Sequence, residues 1–169
     1  MRSRRFQNRV SAGRLTLPLA VLISVTCWIL TAILLPEIKV QKSDYPLWGV
    51  IDSFGLPIWT NRLFSFLLYG GIGYFLIALN NTFAIIRMRA SVQTAIYFLL
   101  TSVCPSIHRL YAGDIATALF LVALFFLFKS YQQHRSANYL FHAFTFIGIG
   151  SLFFPQLTFF APVFWLGAY

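Results

Sequence analysis

The chain has 169 residues, of which 59% are hydrophobic and only 10% charged, with a mean hydropathy of +0.74. Too few polar side chains remain to cover a water-soluble globule, so the composition is that of an integral membrane protein. A formal net charge of +9 would ordinarily raise nucleic acid as a partner, but the basic residues lie between apolar runs and form no stripe with an aromatic platform, which argues against it.

A basic tail, 1–14, carries Arg2, Arg4, Arg5, Arg9 and Arg14 ahead of the first apolar run, Leu15 to Leu35, which has 21 residues and no charge. That length suits a hydrocarbon core of about 30 Å. A secretory signal has an apolar region of about 7 to 15 residues followed by a small-x-small cleavage site, and Leu34, Leu35, Pro36 and Glu37 supply none. The run is therefore expected to be an uncleaved anchor whose N-terminus stays in the cytoplasm.

From Pro36 to Arg62 the chain becomes polar, and Pro36, Pro46, Pro57, Gly49 and Gly55 interrupt any helix of more than about two turns. This external loop sets Glu37, Asp44 and Asp52 among Tyr45, Trp48 and Trp59. Such a mixture suits a segment lying in the headgroup layer, and the same acids could instead serve as an outward-facing catalytic or cation-binding loop. The second crossing, Leu63 to Leu79, contains Gly70, Gly71 and Gly73. Glycines so placed let a neighbouring helix approach; with no preceding strand and no βαβ unit they are not a nucleotide fingerprint.

After Asn80, Asn81 and Thr82, a connector presents Arg87 and Arg89 beside Phe83, Ile85, Ile86 and Met88. It reads as a short amphipathic cytoplasmic piece whose arginines either set topology or bind anionic lipid headgroups or a phosphorylated ligand. Ser91 is a plausible N-cap for a third run from Val92 to Cys104 that Pro105 stops, and Asp114 a plausible cap for a fourth from Ile115 to Phe128. Helices of that length reach only about 20 Å, giving either short crossings or a hairpin that stops below the outer surface. Both place His108, Arg109, Tyr111 and Asp114 in a partly sheltered turn, where polar groups are candidates for substrate binding. Capping by Asp114 and snorkelling by Arg109 explain the same residues without a substrate.

Lys129, Tyr131, Gln132, Gln133, His134 and Arg135 form the next cytoplasmic turn, and a fifth run from Tyr139 to Phe154 carries His142, a satisfied helix histidine, before Pro155 breaks it. Thr101 and Ser151 each stand four positions before a terminating proline, Pro105 and Pro155, an internal echo that suits a plan of helical hairpins. The last run, about 13 residues from Leu157, is too short to cross, which suggests the N-terminal part of a longer chain. Cys27 and Cys104, a whole apolar traverse apart, form no metal-ligand spacing, and no cofactor or metal is expected.

If the runs cross in turn, one side receives nine Lys or Arg and no acid, while the other receives four basic and all four acidic residues. Basic connectors stay in the cytoplasm. The expected fold is thus a single all-α polytopic transmembrane domain with about six apolar segments and an external loop at 36–62.

The stretch from Asn81-Thr82-Phe83 through Arg87-Met88-Arg89, Leu99-Leu100-Thr101-Ser102-Val103-Cys104-Pro105 and Lys129-Ser130-Tyr131-Gln132 to Gly148-Ile149-Gly150-Ser151-Leu152-Phe153-Phe154-Pro155 resembles an uncharacterised family of bacterial polytopic inner-membrane proteins. The resemblance covers about Asn80 to Tyr169. It implies a multi-pass inner-membrane protein longer than this chain, and it brings no catalytic residue. A looser similarity is to polytopic glycosyltransferases that use lipid-linked sugar donors, which carry acidic catalytic residues in the first external loop, where Glu37, Asp44 and Asp52 stand. A close acidic pair is missing here. Two functions follow as expectations: a structural or assembly subunit of the cell envelope with a membrane protein partner, or a transferase in which an outer carboxylate activates the acceptor while Arg109 or His108 steadies the donor phosphate. A transporter is disfavoured because the cytoplasmic half offers no intramembrane acid.

Overall fold

The computed structural model describes residues 16–35, 45–85, 90–131 and 136–167, and among them every regular element is a helix. The basic tail 1–14, Glu37, Asp44, Arg87, Arg89 and His134 lie outside the described residues. Among the described residues seven α-helices follow in order: α1 Thr16–Leu34, α2 Pro46–Ser53, α3 Ile58–Phe83, α4 Ala90–Val103, α5 Ala112–Tyr131, α6 Ser136–Phe153 and α7 Ala161–Gly167. Two 3-10 turns, Pro105–His108 and Pro155–Phe160, precede α5 and α7. Helices α1, α3 and α5, with 19, 26 and 20 residues, are long and apolar enough to cross a membrane.

Several boundaries move relative to the sequence reading. The segment 36–62 is not loop throughout, because α2 starts on Pro46 and α3 already at Ile58. Proline at a first helical position costs nothing, since its missing N–H would have had no helical partner there. Immediately after Pro57, the Asn61 amide already donates to the Pro57 carbonyl at 3.0 Å. Gly55, with φ of 55°, supplies the left-handed residue that ends α2, and its N–H reaches the Asp52 carbonyl at 3.1 Å. The third apolar run forms α4, which begins at Ala90, so Ser91 falls within the helix and not at its N-cap position. The fourth run forms α5, from Ala112 to Tyr131, six residues longer than the expected run from Ile115 to Phe128. At 1.5 Å per residue α5 reaches about 30 Å, the length a full crossing needs, whereas α4 remains near 20 Å.

The proline echo is real as local geometry. In both copies the helix stops two residues before the proline, one extended residue intervenes (Cys104 at φ −100°, ψ 98°; Phe154 at φ −143°, ψ 94°), and a 3-10 turn starts on the proline itself. The extended residue follows from the clash between a proline ring and a preceding helical residue. Thr101 donates to the Tyr97 carbonyl at 3.0 Å, and Ser151 to that of Gly148 at 2.7 Å. Thr26, Thr31, Thr82, Ser102, Thr117, Ser130 and Thr145 likewise turn back on their own helices. Each hydroxyl is thereby satisfied without water, as a hydrocarbon environment requires.

Contacts divide the chain into two compact units, Met1–Val40 with Tyr69–Arg109 and Gln41–Leu68 with Leu110–Tyr169. In the first, α1 packs against α4. The face of α1 that is buried consists of Ala20, Ser24, Trp28 and Thr31, while Leu19, Leu22, Ile33 and Leu34 are 63 to 70% exposed. In the second, α5 and α6 form an antiparallel hairpin whose interior is Ala123, Leu127, Ala143 and Ile147, closed by Phe164 of α7. Small and hydroxyl residues such as Ala20, Ser24, Ala123 and Ala143 thus lie inside beside the larger Trp28, Leu127, Ile147 and Phe164, while many large aliphatic side chains are exposed; small residues at a contact let helices approach closely, as they do in lipid.

Candidate functional site

In the first unit, Pro105 forces the chain into a 3-10 turn whose last residue is His108, only 1% exposed. Its ring stacks on the indole of Trp28 with centroids 4.2 Å apart and planes 28° apart. Trp28 in turn meets Tyr69 at 6.1 Å, and Tyr69 stacks on Tyr97 at 6.3 Å. A column of four rings therefore crosses the unit, drawn from α1, the proline turn, α3 and α4. Gly73, one turn beyond Tyr69, allows α3 to approach closely: a Cβ there would meet the Phe98 ring at 2.5 Å.

In the second unit, Tyr111 is the residue before α5 and its N–H donates to the Asp114 carboxylate at 2.8 Å. Asp114 occupies the third helical position and reaches back to the cap residue, which is the acidic half of a capping box. It therefore does begin α5, but from inside the first turn and not as the N-cap. The carboxylate also sits where the helix dipole favours negative charge. One step earlier, the Leu110 N–H donates to the Asn61 side chain at 2.8 Å, tying the chain to the first turn of α3. The Tyr111 ring lies 6.0 Å from Trp48, whose indole packs with Leu110 and Ala112.

The four residues expected to line one sheltered turn therefore divide between the units. His108 and Arg109 close the first, His108 beneath Trp28 and Arg109 half-buried in extended backbone. Tyr111 and Asp114 open the second, engaged in starting a helix. Asp52 is exposed near the end of α2. Glu37 and Asp44, its expected companions, lie outside the described residues, as do Arg87 and Arg89. Among the described residues no three of the types His, Cys, Asp and Glu are grouped as metal ligands. His142 matches its sequence reading: its Nδ1 donates to the Asn138 carbonyl at 2.6 Å and its ring stacks on Phe126 at 5.3 Å.

Trp28, Tyr69, Tyr97 and Asn61 were not singled out by sequence. The signal available was weak: large amphipathic rings and one amide inside otherwise aliphatic runs, with nothing to pair residues up to 80 positions apart. No family model matches this chain, and no curated protein or solved structure matches it.

Proposed function

We propose that this chain is a multi-pass protein of a bacterial inner membrane, with its N-terminus in the cytoplasm, that serves as a structural or assembly subunit of the cell envelope. The observation that carries this reading is the exposure of large aliphatic side chains on its long helices, with Leu19, Leu22, Ile33 and Leu34 at 63 to 70%, beside buried small ones such as Ala20, Ser24, Ala123 and Ala143. Burying the large side chains against lipid and the small ones against each other is favourable only where the surroundings are themselves apolar. The side of the membrane taken by each connector rests on the distribution of arginine and lysine.

A subunit role is favoured over catalysis by the employment of the polar groups. Asp114 is committed to the start of α5, and the His108 ring is covered by an indole. Gly70 and Gly71 of α3, by contrast, have open space where a side chain would project, the kind of surface against which a partner helix packs. The glycosyltransferase reading keeps one supporting observation, the exposure of Asp52.

Cysteines introduced by Asp44→Cys and Arg87→Cys should react with a membrane-impermeant thiol reagent from opposite faces of sealed vesicles. Labelling of both from the same face would overturn the proposed threading. Separately, Asp52→Asn in a host with a measurable surface glycan should leave the glycan unchanged at normal protein level. Loss of glycan at normal protein level would replace the subunit reading with the transferase.

A further inference from the structure

Lys129 lies in the last turn of α5, one of the three helices long enough to span. A crossing of α5 therefore brings its ammonium to the level of the headgroups. Its Nζ sits 5.8 Å from the centre of the Phe125 ring on its own helix and 5.2 Å from that of Tyr139 on α6. Tyr139 is held in turn, stacked on Phe126 at 6.5 Å, and Phe126 stacks on Phe146 at 5.6 Å with planes only 8° apart. The cation is thus placed by rings that are themselves fixed by the hairpin, and two ring faces steady a lysine that would otherwise sample many rotamers.

Ring faces attract a cation without neutralising it. Beyond Asp114, at the opposite end of α5, neither α5, α6 nor α7 contains Asp or Glu. Helix α2, which carries Asp52, meets α6 at its other end, where Tyr45 packs edge-on against Phe154 at 5.6 Å. Among the described residues, these helices therefore bring no carboxylate to the Lys129 end of the hairpin. Its three donors and the phenol of Tyr139 offer what a phosphodiester oxygen accepts.

We propose that Lys129 and Tyr139, at the paired ends of α5 and α6, form a binding site for the phosphate of an anionic phospholipid headgroup. The site rests on the membrane reading above. The occupant is a bilayer lipid because the charge stands at the end of a spanning helix whose outer flank is apolar, so that a lipid's acyl chains and headgroup are both accommodated at one place.

The test uses the full chain purified in mild detergent with an equimolar mixture of phosphatidylglycerol and phosphatidylcholine, the retained lipid being counted by native mass spectrometry. The wild type should retain phosphatidylglycerol preferentially. Lys129→Gln should lower that preference about fivefold, the effect of one basic residue near an anionic surface, and Tyr139→Leu should lower it less. Lys129→Arg, which keeps the charge, should largely restore it. Added inorganic phosphate should leave lipid retention unchanged; displacement of lipid by phosphate would assign a soluble anion instead and overturn the lipid assignment. Unaltered preference in Lys129→Gln, in a protein that still floats with vesicles of either lipid, would overturn the site alone. Failure of the wild type to float with either would overturn the membrane reading and the site together.

Discussion

Ala143→Leu is expected to lower the thermal midpoint of the detergent-solubilised protein by several degrees. Ala143 and Ala123 are both fully buried where α6 crosses α5, and the absence of larger side chains is what brings the two backbones together. Leucine adds three carbon atoms where no space exists. Overpacking of this kind costs about 1 to 3 kcal/mol. In water part of that cost would be offset by the extra apolar area buried, but in lipid the added methyl groups were already in an apolar medium, so the offset disappears. With about 2 to 4 °C per kcal/mol for a chain of this size, the shift should be on the order of 5 °C. Ala137→Leu, at an exposed position of the same helix, is the control and should change little. Equal midpoints for the two variants would mean that the hairpin does not depend on close approach at Ala143.

The second large effect concerns the ring column of the first unit. Trp28 is 8% and His108 1% exposed, so shortening the tryptophan to leucine leaves a void that neither lipid nor water readily fills. A void of about 60 Å³ at about 24 cal/mol per Å³ costs on the order of 1.5 kcal/mol. The face-to-face contact with His108 adds about 1 kcal/mol that belongs to the pair and not to either ring. Stability measured for Trp28→Leu, His108→Leu and the double variant separates these terms. The pair should show a coupling of about 1 kcal/mol, with Trp28→Leu the more damaging single change. Strict additivity would mean that the rings lie together without acting on each other.

Gly73 marks the limit of what composition alone conveys. It was visible in the sequence as one of three clustered glycines, and packing was the expected reason for all of them. The structure separates them: only Gly73 is pressed against a ring, that of Phe98, while Gly70 and Gly71 face open space. Asp114 tells a similar story. Its role at a helix start was legible from its place before an apolar run, but the start itself lay three residues earlier, because a carboxylate can cap from the third helical position as well as from the cap.

What the sequence determined by itself was the class of the protein and the local stops. Apolar content made it helical, and the composition of three segments makes their helices long and apolar enough to cross a membrane. Pro105 and Pro155 ended their helices wherever the chain went, because a proline ring acts on the residue before it. Tertiary structure alone decided which side of each helix faces inward. A helix in water announces its buried face by alternating apolar and polar positions, whereas α1 and α5 carry apolar side chains on every face, so polarity does not mark the buried one. The stacking of His108 on Trp28 and the seat of Lys129 between Phe125 and Tyr139 depend on which helices pair and in what register, and no local rule in the sequence specifies that pairing.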